Sequence, residues 1–230
     1  MMAKKILKIL FLYIPLGLIV LSLVLVILYR WVPVTYTPLM LKRSIQNAGD
    51  KDYRNTRIWT DLENISPNVI RAVIASEDSR FMQHHGFDFE ELKKMMKEHE
   101  SRGKKIRGCS TISQQTAKNC FTFGGHSWFR KGVEAYYTVL IELLWSKERI
   151  MEVYLNVIET GKGLFGVEAA SLKYFKRHAS DLTLRQAAQI VCVLPNPLVR
   201  TPASVASKMP RRLATTIRRA SGTSASLKRQ

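Results

Sequence analysis

Ser66-Pro67-Asn68-Val69-Ile70-Arg71-Ala72-Val73-Ile74-Ala75-Ser76-Glu77-Asp78 decides how this chain folds, because it starts like a helix and ends on an acid. Ser66 reads as an N-cap and Pro67 as the first helical residue. Ile70, Val73 and Ile74 then form an apolar stripe. Glu77 follows them by seven, four and three residues, so it shares their face. A carboxylate on a buried stripe is costly to ionise, and its pKa rises. Enzymes build general bases in this way. A surface glutamate at a fraying helix end is the plainer alternative.

Working outward, most of the remaining chain also reads as helix. Asp88 and Glu91 form a capping box opening a helix through about Glu100, and Ser101-Arg102-Gly103-Lys104-Lys105 is a polar basic loop. Ser110 is placed to cap a helix through Lys118. Ser127 caps a long apolar helix from Trp128 to Trp145. Ser146 caps the next, where Ile150, Val153, Tyr154, Val157 and Ile158 recur at helical spacing. Thr183 and Gln186 open another helix, which stops before Pro195. Strand character is confined to a short piece near Arg57-Ile58-Trp59-Thr60. The expected fold class is therefore mainly α. After Pro202 the chain turns Ser-, Ala- and Arg-rich with no evident apolar stripe, which predicts a mobile basic tail.

Ile9 to Tyr29 contains no charged residue and would span roughly 30 Å as a helix, the thickness of a hydrocarbon core. It is too long for a signal-peptide core, and Arg30-Trp31-Val32-Pro33 offers no small-x-small cleavage site. An uncleaved anchor is expected, with Trp31 at the interface. Lys4, Lys5 and Lys8 precede the span while Arg30, Lys42 and Arg43 follow it, so charge alone does not orient it. The net charge of +18 draws polyanions, either nucleic acid or anionic lipid headgroups. The anchor favours the membrane. Three cysteines (Cys109, Cys120, Cys192) without C-x-x-C spacing argue against a metal or disulfide scaffold, and the five histidines show no ligand spacing.

Some patterns mislead. Gly161-Lys162-Gly163-Leu164-Phe165-Gly166 satisfies G-x-G-x-x-G, with Asp181 downstream, but an amphipathic helix rather than a strand runs into it. Ser101-Arg102-Gly103-Lys104 satisfies S-x-x-K without a K-T-G partner. Met95-Met96 is core filler. Thr111, Gln114 and Lys118 would share one helix face, offering a hydroxyl, an amide and an ammonium, although polar faces are usually just solvated. Arg130 and Glu134 stand at i, i+4, a spacing that in the plain case gives an ion pair worth roughly 0.3–0.5 kcal/mol.

Glu77-Asp78-x-x-Phe81-x-x-His84-x-Gly86 resembles the first motif of the peptidoglycan glycosyltransferases, glycosyltransferase family 51. Gly108-Cys109-Ser110-Thr111-Ile112-Ser113-Gln114-Gln115-Thr116-Ala117-Lys118-Asn119 resembles the second, Arg130-Lys131-x-x-Glu134 the third, and Lys147-Glu148-x-Ile150-Met151-Glu152-x-Tyr154-Leu155-Asn156 the fourth. The pattern continues through Gly161-x-Gly163-x-x-Gly166, Ala169-Ala170, Tyr174-Phe175 and Leu194-Pro195-Asn196-Pro197, so it covers about Leu62 to Pro202. It is closest to the monofunctional, membrane-anchored members. Cys109 stands where the family usually has Gly or Ala. His126 stands where related members usually carry Arg, and a neutral imidazole is the weaker anion ligand.

The resemblance implies a lysozyme-like helical domain that polymerises lipid II into β-1,4-linked glycan strands with inversion, releasing undecaprenyl diphosphate. It implies Glu77 and Glu134 as catalytic residues. It implies substrate contacts from Asp78, Phe81, Ser110, Gln114, Gln115, Lys118, Asn119, Arg130 and Lys131. No cofactor or metal ligand set is required by the sequence, and a divalent cation (Mg or Mn) beside Glu134 is the one addition the resemblance leaves room for. The partners it implies are lipid II, the growing glycan strand, membrane lipids, and cell-division or wall-synthesis proteins, with no nucleic acid. The place it implies is the bacterial inner membrane, single-pass, with the catalytic domain extracytoplasmic. The expected layout is a cytoplasmic tail (1–8), anchor (9–29), membrane-proximal linker (30–55), catalytic domain (56–203) and tail (204–230). A lysozyme-like lytic transglycosylase would use one glutamate on a similar fold but needs no cationic cradle. A membrane-tethered, non-enzymatic nucleic-acid binder would explain the charge but not the acidic motifs.

Overall fold

Leu, Ile and Val crowd the N-terminus, and there the chain forms one continuous helical rod. A computed structural model describes residues 9–103, 110–125 and 127–228. A π-helical turn over Ile9–Tyr13 leads into α1 (Ile14–Leu28), and Phe11–Leu28 is long and apolar enough to cross a membrane. Its side chains are almost all exposed, which in water would be costly and in lipid is favourable. Only Ser22 and Val26 are buried. The Ser22 hydroxyl pairs with the Tyr136 hydroxyl at 2.7 Å, and the Val26 carbonyl accepts the Trp145 indole N–H at 2.8 Å. The anchor is thus docked on the domain.

The membrane-proximal linker contains α2 (Pro38–Gln46), started by Thr37, whose hydroxyl accepts the Met40 N–H. Next come β1 (Thr56–Arg57) and α3 (Pro67–Glu77), the latter capped by Ser66 as its sequence predicts. α4 (Phe89–Arg102) starts at Asp88 and α5 at Ile112 (Ile112–Phe121). The cap of α5 is Thr111 and not Ser110, because Thr111 and Gln114 close a reciprocal capping box. α6 (Trp128–Leu144) and α7 (Lys147–Val157) follow their predicted serine caps. α7 is buried on every side, with Ile150, Met151, Val153, Tyr154, Leu155 and Val157 in the core, as expected of a central helix.

β2 (Glu159–Gly161) and β3 (Leu164–Phe165) form a small sheet of order β1-β3-β2, with β3 parallel to β1 and antiparallel to β2. The G-x-G-x-x-G run is this hairpin. A Cβ on Gly163 would meet the Arg54 carbonyl at 2.5 Å, and one on Gly166 the Asn156 carbonyl at 2.9 Å. These glycines therefore serve close backbone packing. α8 (Val167–Phe175), which the sequence did not single out as a helix, is followed by α9 (Leu184–Val193), opened by the expected Thr183/Gln186 box.

The tail departs from expectation. It forms α10 (Pro202–Lys208) and α11 (Pro210–Ser221), and α11 packs on both α3 and α9. Leu213, Thr216 and Ala220 bury a narrow face of small and polar-looking residues, so the stripe has too little apolar weight to stand out in sequence. Leu213→Ala should cost about 2–5 kcal/mol in denaturant unfolding. No change in the midpoint would mean that the tail is not part of the core.

Candidate active site

Glu77 ends α3, where the helix terminus presents its negative pole. Its Oε2 accepts the side-chain N–H of Gln115 at 3.1 Å, and the Gln115 carbonyl oxygen faces the Tyr154 hydroxyl at 3.4 Å. Tyr154 is fully buried, so it fixes which way the Gln115 amide points. Burial pushes the Glu77 carboxyl above the ordinary glutamate range. The Gln115 hydrogen bond and the charges of Arg212 and Lys118 offset this only in part. Arg212 lies on α11, in the tail expected to be mobile, and nothing in the arginine-rich sequence there distinguishes it from its neighbours.

Three residues expected at the substrate face inward instead. Asp78 accepts the Nε2–H of His84 at 2.9 Å and the Ile112 backbone N–H at 3.0 Å. His84 Nδ1 accepts the Gly86 N–H at 3.2 Å, which assigns the Nε2–H tautomer. Asp78 therefore ties the end of α3 to the start of α5. Phe81 is completely buried, with the Lys147 ammonium 4.3 Å above its ring. The Gln114 side chain is taken up by the capping box. In each case a local polar or packing partner satisfies the side chain before any ligand arrives.

The other predicted residues do meet. Ser110, Gln115, Lys118, Asn119, Arg130 and Lys131 line a cleft of about 570 Å³, together with Glu134 and Tyr154. Glu134 is buried and bonds Arg130 through one oxygen and Lys131 through the other. Burial pushes the Lys118 ammonium below the ordinary lysine range; the Glu134 carboxylate opposes this, and the Arg130 and Lys131 charges reinforce it. The Arg130 Nε–H is buried with no acceptor among the described residues. The cations that line the cleft outnumber its carboxylates, so it suits an anion. Lys42, Arg43 and Glu159 also line it: the two cations lie far from the motifs in sequence, and Glu159 falls between Asn156 and Gly161, where no motif position marks it. His126, Cys109 and Lys104 lie outside the described residues.

A divalent ion at Glu134 does not fit the groups present, because both carboxylate oxygens already hold cations. Asp78, His84 and Asp88 bring ligand-type atoms within 4.8 Å of one another, but Asp78 is held by His84 and Ile112, and Asp88 by the Glu91 N–H.

A desolvated carboxyl beside a cation-rich cleft, on a helical domain with an apolar N-terminal helix, is an arrangement suited to acid–base chemistry on an anionic group. Comparison with known proteins narrows the class. The transglycosylase family matches residues 42–221. The biosynthetic peptidoglycan transglycosylase of Bdellovibrio bacteriovorus is 54% identical over 177 residues, 76% of this chain and 70% of that protein. The protein of the same name from Bacteroides thetaiotaomicron is 55% identical over 176 residues (75% and 70%). That of Caulobacter vibrioides is 49% identical over 195 residues (85% and 82%). The chain belongs to the transglycosylase family, whose helical domain is lysozyme-like.

Proposed function

We infer that the chain is a peptidoglycan glycosyltransferase of cell-wall synthesis that polymerises lipid II at the bacterial inner membrane, with its catalytic domain on the outer face. The observation that carries this reading is a desolvated carboxyl one hydrogen bond from a cleft whose lining cations outnumber its carboxylates. Glu77 takes the proton of the GlcNAc 4-hydroxyl of lipid II as that oxygen attacks C1 of the donor MurNAc. The C1–O bond to the diphosphate breaks, the bonding pair leaves with undecaprenyl diphosphate, and the α linkage becomes β-1,4. Lys118, Arg130 and Lys131 stabilise charge on the leaving diphosphate, and Glu134 orients the last two. The lipid chain has an apolar path beside the anchor, where Tyr136, Val139 and Leu143 form an exposed stripe on α6 and Phe123, Trp128 and Phe129 stand exposed near the cleft.

Labelled lipid II given to the purified, full-length protein tests the function: polymer supports it, and shortened glycan or no reaction overturns it. Lys118→Ala and Arg130→Ala should each lower kcat/KM by about 10²-fold and weaken binding of diphosphate-bearing lipids. A neutral lipid-linked analogue should bind wild type and variants equally. Equal loss for that analogue would mean misfolding rather than lost charge.

A further inference from the structure

We propose that Lys42 is a substrate-binding residue of the cleft, its ammonium contacting the phosphate of the lipid-linked substrate from the anchor side. This rests on the function proposed above. Lys42 lies on α2, which packs on α5, the helix that carries Lys118. Both lysines line the same cleft. The Lys42 ammonium faces the far wall of that cleft, where a Cβ on Gly124 would lie 3.4 Å from its Nζ.

The helix that bears Lys42 is held firmly. Arg43 Nε and NH2 donate to the two oxygens of buried Glu159 at 2.8 and 2.7 Å, and Asn55 donates to the Met40 carbonyl at 3.0 Å. The carboxylates of the cleft are thereby already matched: Glu159 by Arg43, and Glu134 by Arg130 and Lys131. Among the described residues none remains to neutralise Lys42, which is half-buried. Lys42 is one of five cations in the cleft against two carboxylates, and they repel one another unless an anion shares the space. α2 begins at Pro38, ten residues after the anchor ends at Leu28. Lys42 is thus the ammonium that the membrane-proximal segment adds to the cleft, on the side from which a lipid-borne phosphate group arrives. Lysine suits this as a point charge on a flexible stem that can follow a phosphate into the cleft.

The test uses the full-length protein with neutral phosphatidylcholine vesicles carrying polyprenyl diphosphate, polyprenyl monophosphate or uncharged polyprenol, and with phosphatidylglycerol vesicles. Lys42→Met should weaken binding to the diphosphate vesicles about tenfold, the loss of one charge-assisted hydrogen bond. Binding to polyprenol vesicles should be unchanged, and Lys42→Arg should bind diphosphate nearly as wild type does. With lipid II as substrate the Met variant should show its loss chiefly in KM. Wild-type binding and KM for the Met variant would overturn the proposal. Equal loss on polyprenol vesicles would assign Lys42 a structural role, and equal loss on phosphatidylglycerol a general membrane contact, and either result overturns it too. If the wild-type protein itself binds no diphosphate lipid and makes no polymer, the proposed function falls, and this inference with it.

Discussion

Glu77→Gln should abolish polymerisation, with a loss of about 10²–10⁴-fold, while the protein stays folded and binds donor lipid. The amide keeps the shape of the side chain but cannot accept the proton of the attacking hydroxyl. The same substitution should raise thermal stability at neutral pH. Burial lifts the Glu77 pKa in the folded protein, so the folded state holds that proton more tightly than the unfolded chain does. The stability this group contributes is full below its unfolded pKa and is lost as pH rises through the folded value. Above both, wild type carries an ionised, desolvated carboxylate that the Gln variant lacks. The gap in melting temperature should therefore close as the pH is lowered into the ordinary glutamate range. Catalysis carries a matching signature. The acid limb of kcat/KM should lie above the ordinary glutamate range, and an alkaline limb from Lys118 below the ordinary lysine range. Polymerisation by the Gln variant at near wild-type rate would show that Glu77 is not the base.

Lys147→Ala should destabilise the fold by about 3–5 kcal/mol, because it strips the partner from a buried carboxylate. The Lys147 ammonium donates to Glu142 at 2.7 Å and to the His84 carbonyl at 2.9 Å, and it sits over the Phe81 ring. Glu142 also accepts the Ser113 hydroxyl. One ion pair thereby joins α5, α6, α7 and the loop that follows Glu77. Against a total stability of about 5–15 kcal/mol, such a loss is severe. Removing both charges in the Lys147→Met/Glu142→Leu double variant should recover part of it, since no lone buried charge remains. Denaturant unfolding reads all of these. An unchanged midpoint for Lys147→Ala, or strictly additive losses in the double variant, would rule out the coupled pair.

Local signals were strong in this chain wherever a cap or a long apolar run sets the structure by itself. Ser66-Pro67, Asp88, Ser127, Ser146 and the Thr183/Gln186 box start helices where their side chains can reach the first free N–H groups, whatever the rest of the chain does. Ser110 and Thr111 are adjacent, but only Thr111 has a glutamine three residues on to close a capping box, and its hydroxyl also donates to the Gly86 carbonyl, 25 residues away.

What the sequence determined alone was the apolar anchor, the mainly helical character, the family motifs and the placement of Glu77 at the end of an apolar face. Only the tertiary structure decided which motif residues line the cleft and which are turned inside. Asp78 and Gln114 stand beside Glu77 and Gln115 in sequence, yet neighbouring side chains leave the backbone in different directions, so the first two reach interior partners while Gln115 lines the cleft and holds Glu77. It also decided that Leu213, Thr216 and Ala220 form a buried face and that Lys42 and Arg212 come near the chemistry. The physical reason is the range of the forces involved. Caps and hydrophobic runs act between residues a few positions apart, whereas burial of a weak stripe, or the approach of two charges, exists only once distant segments pack together.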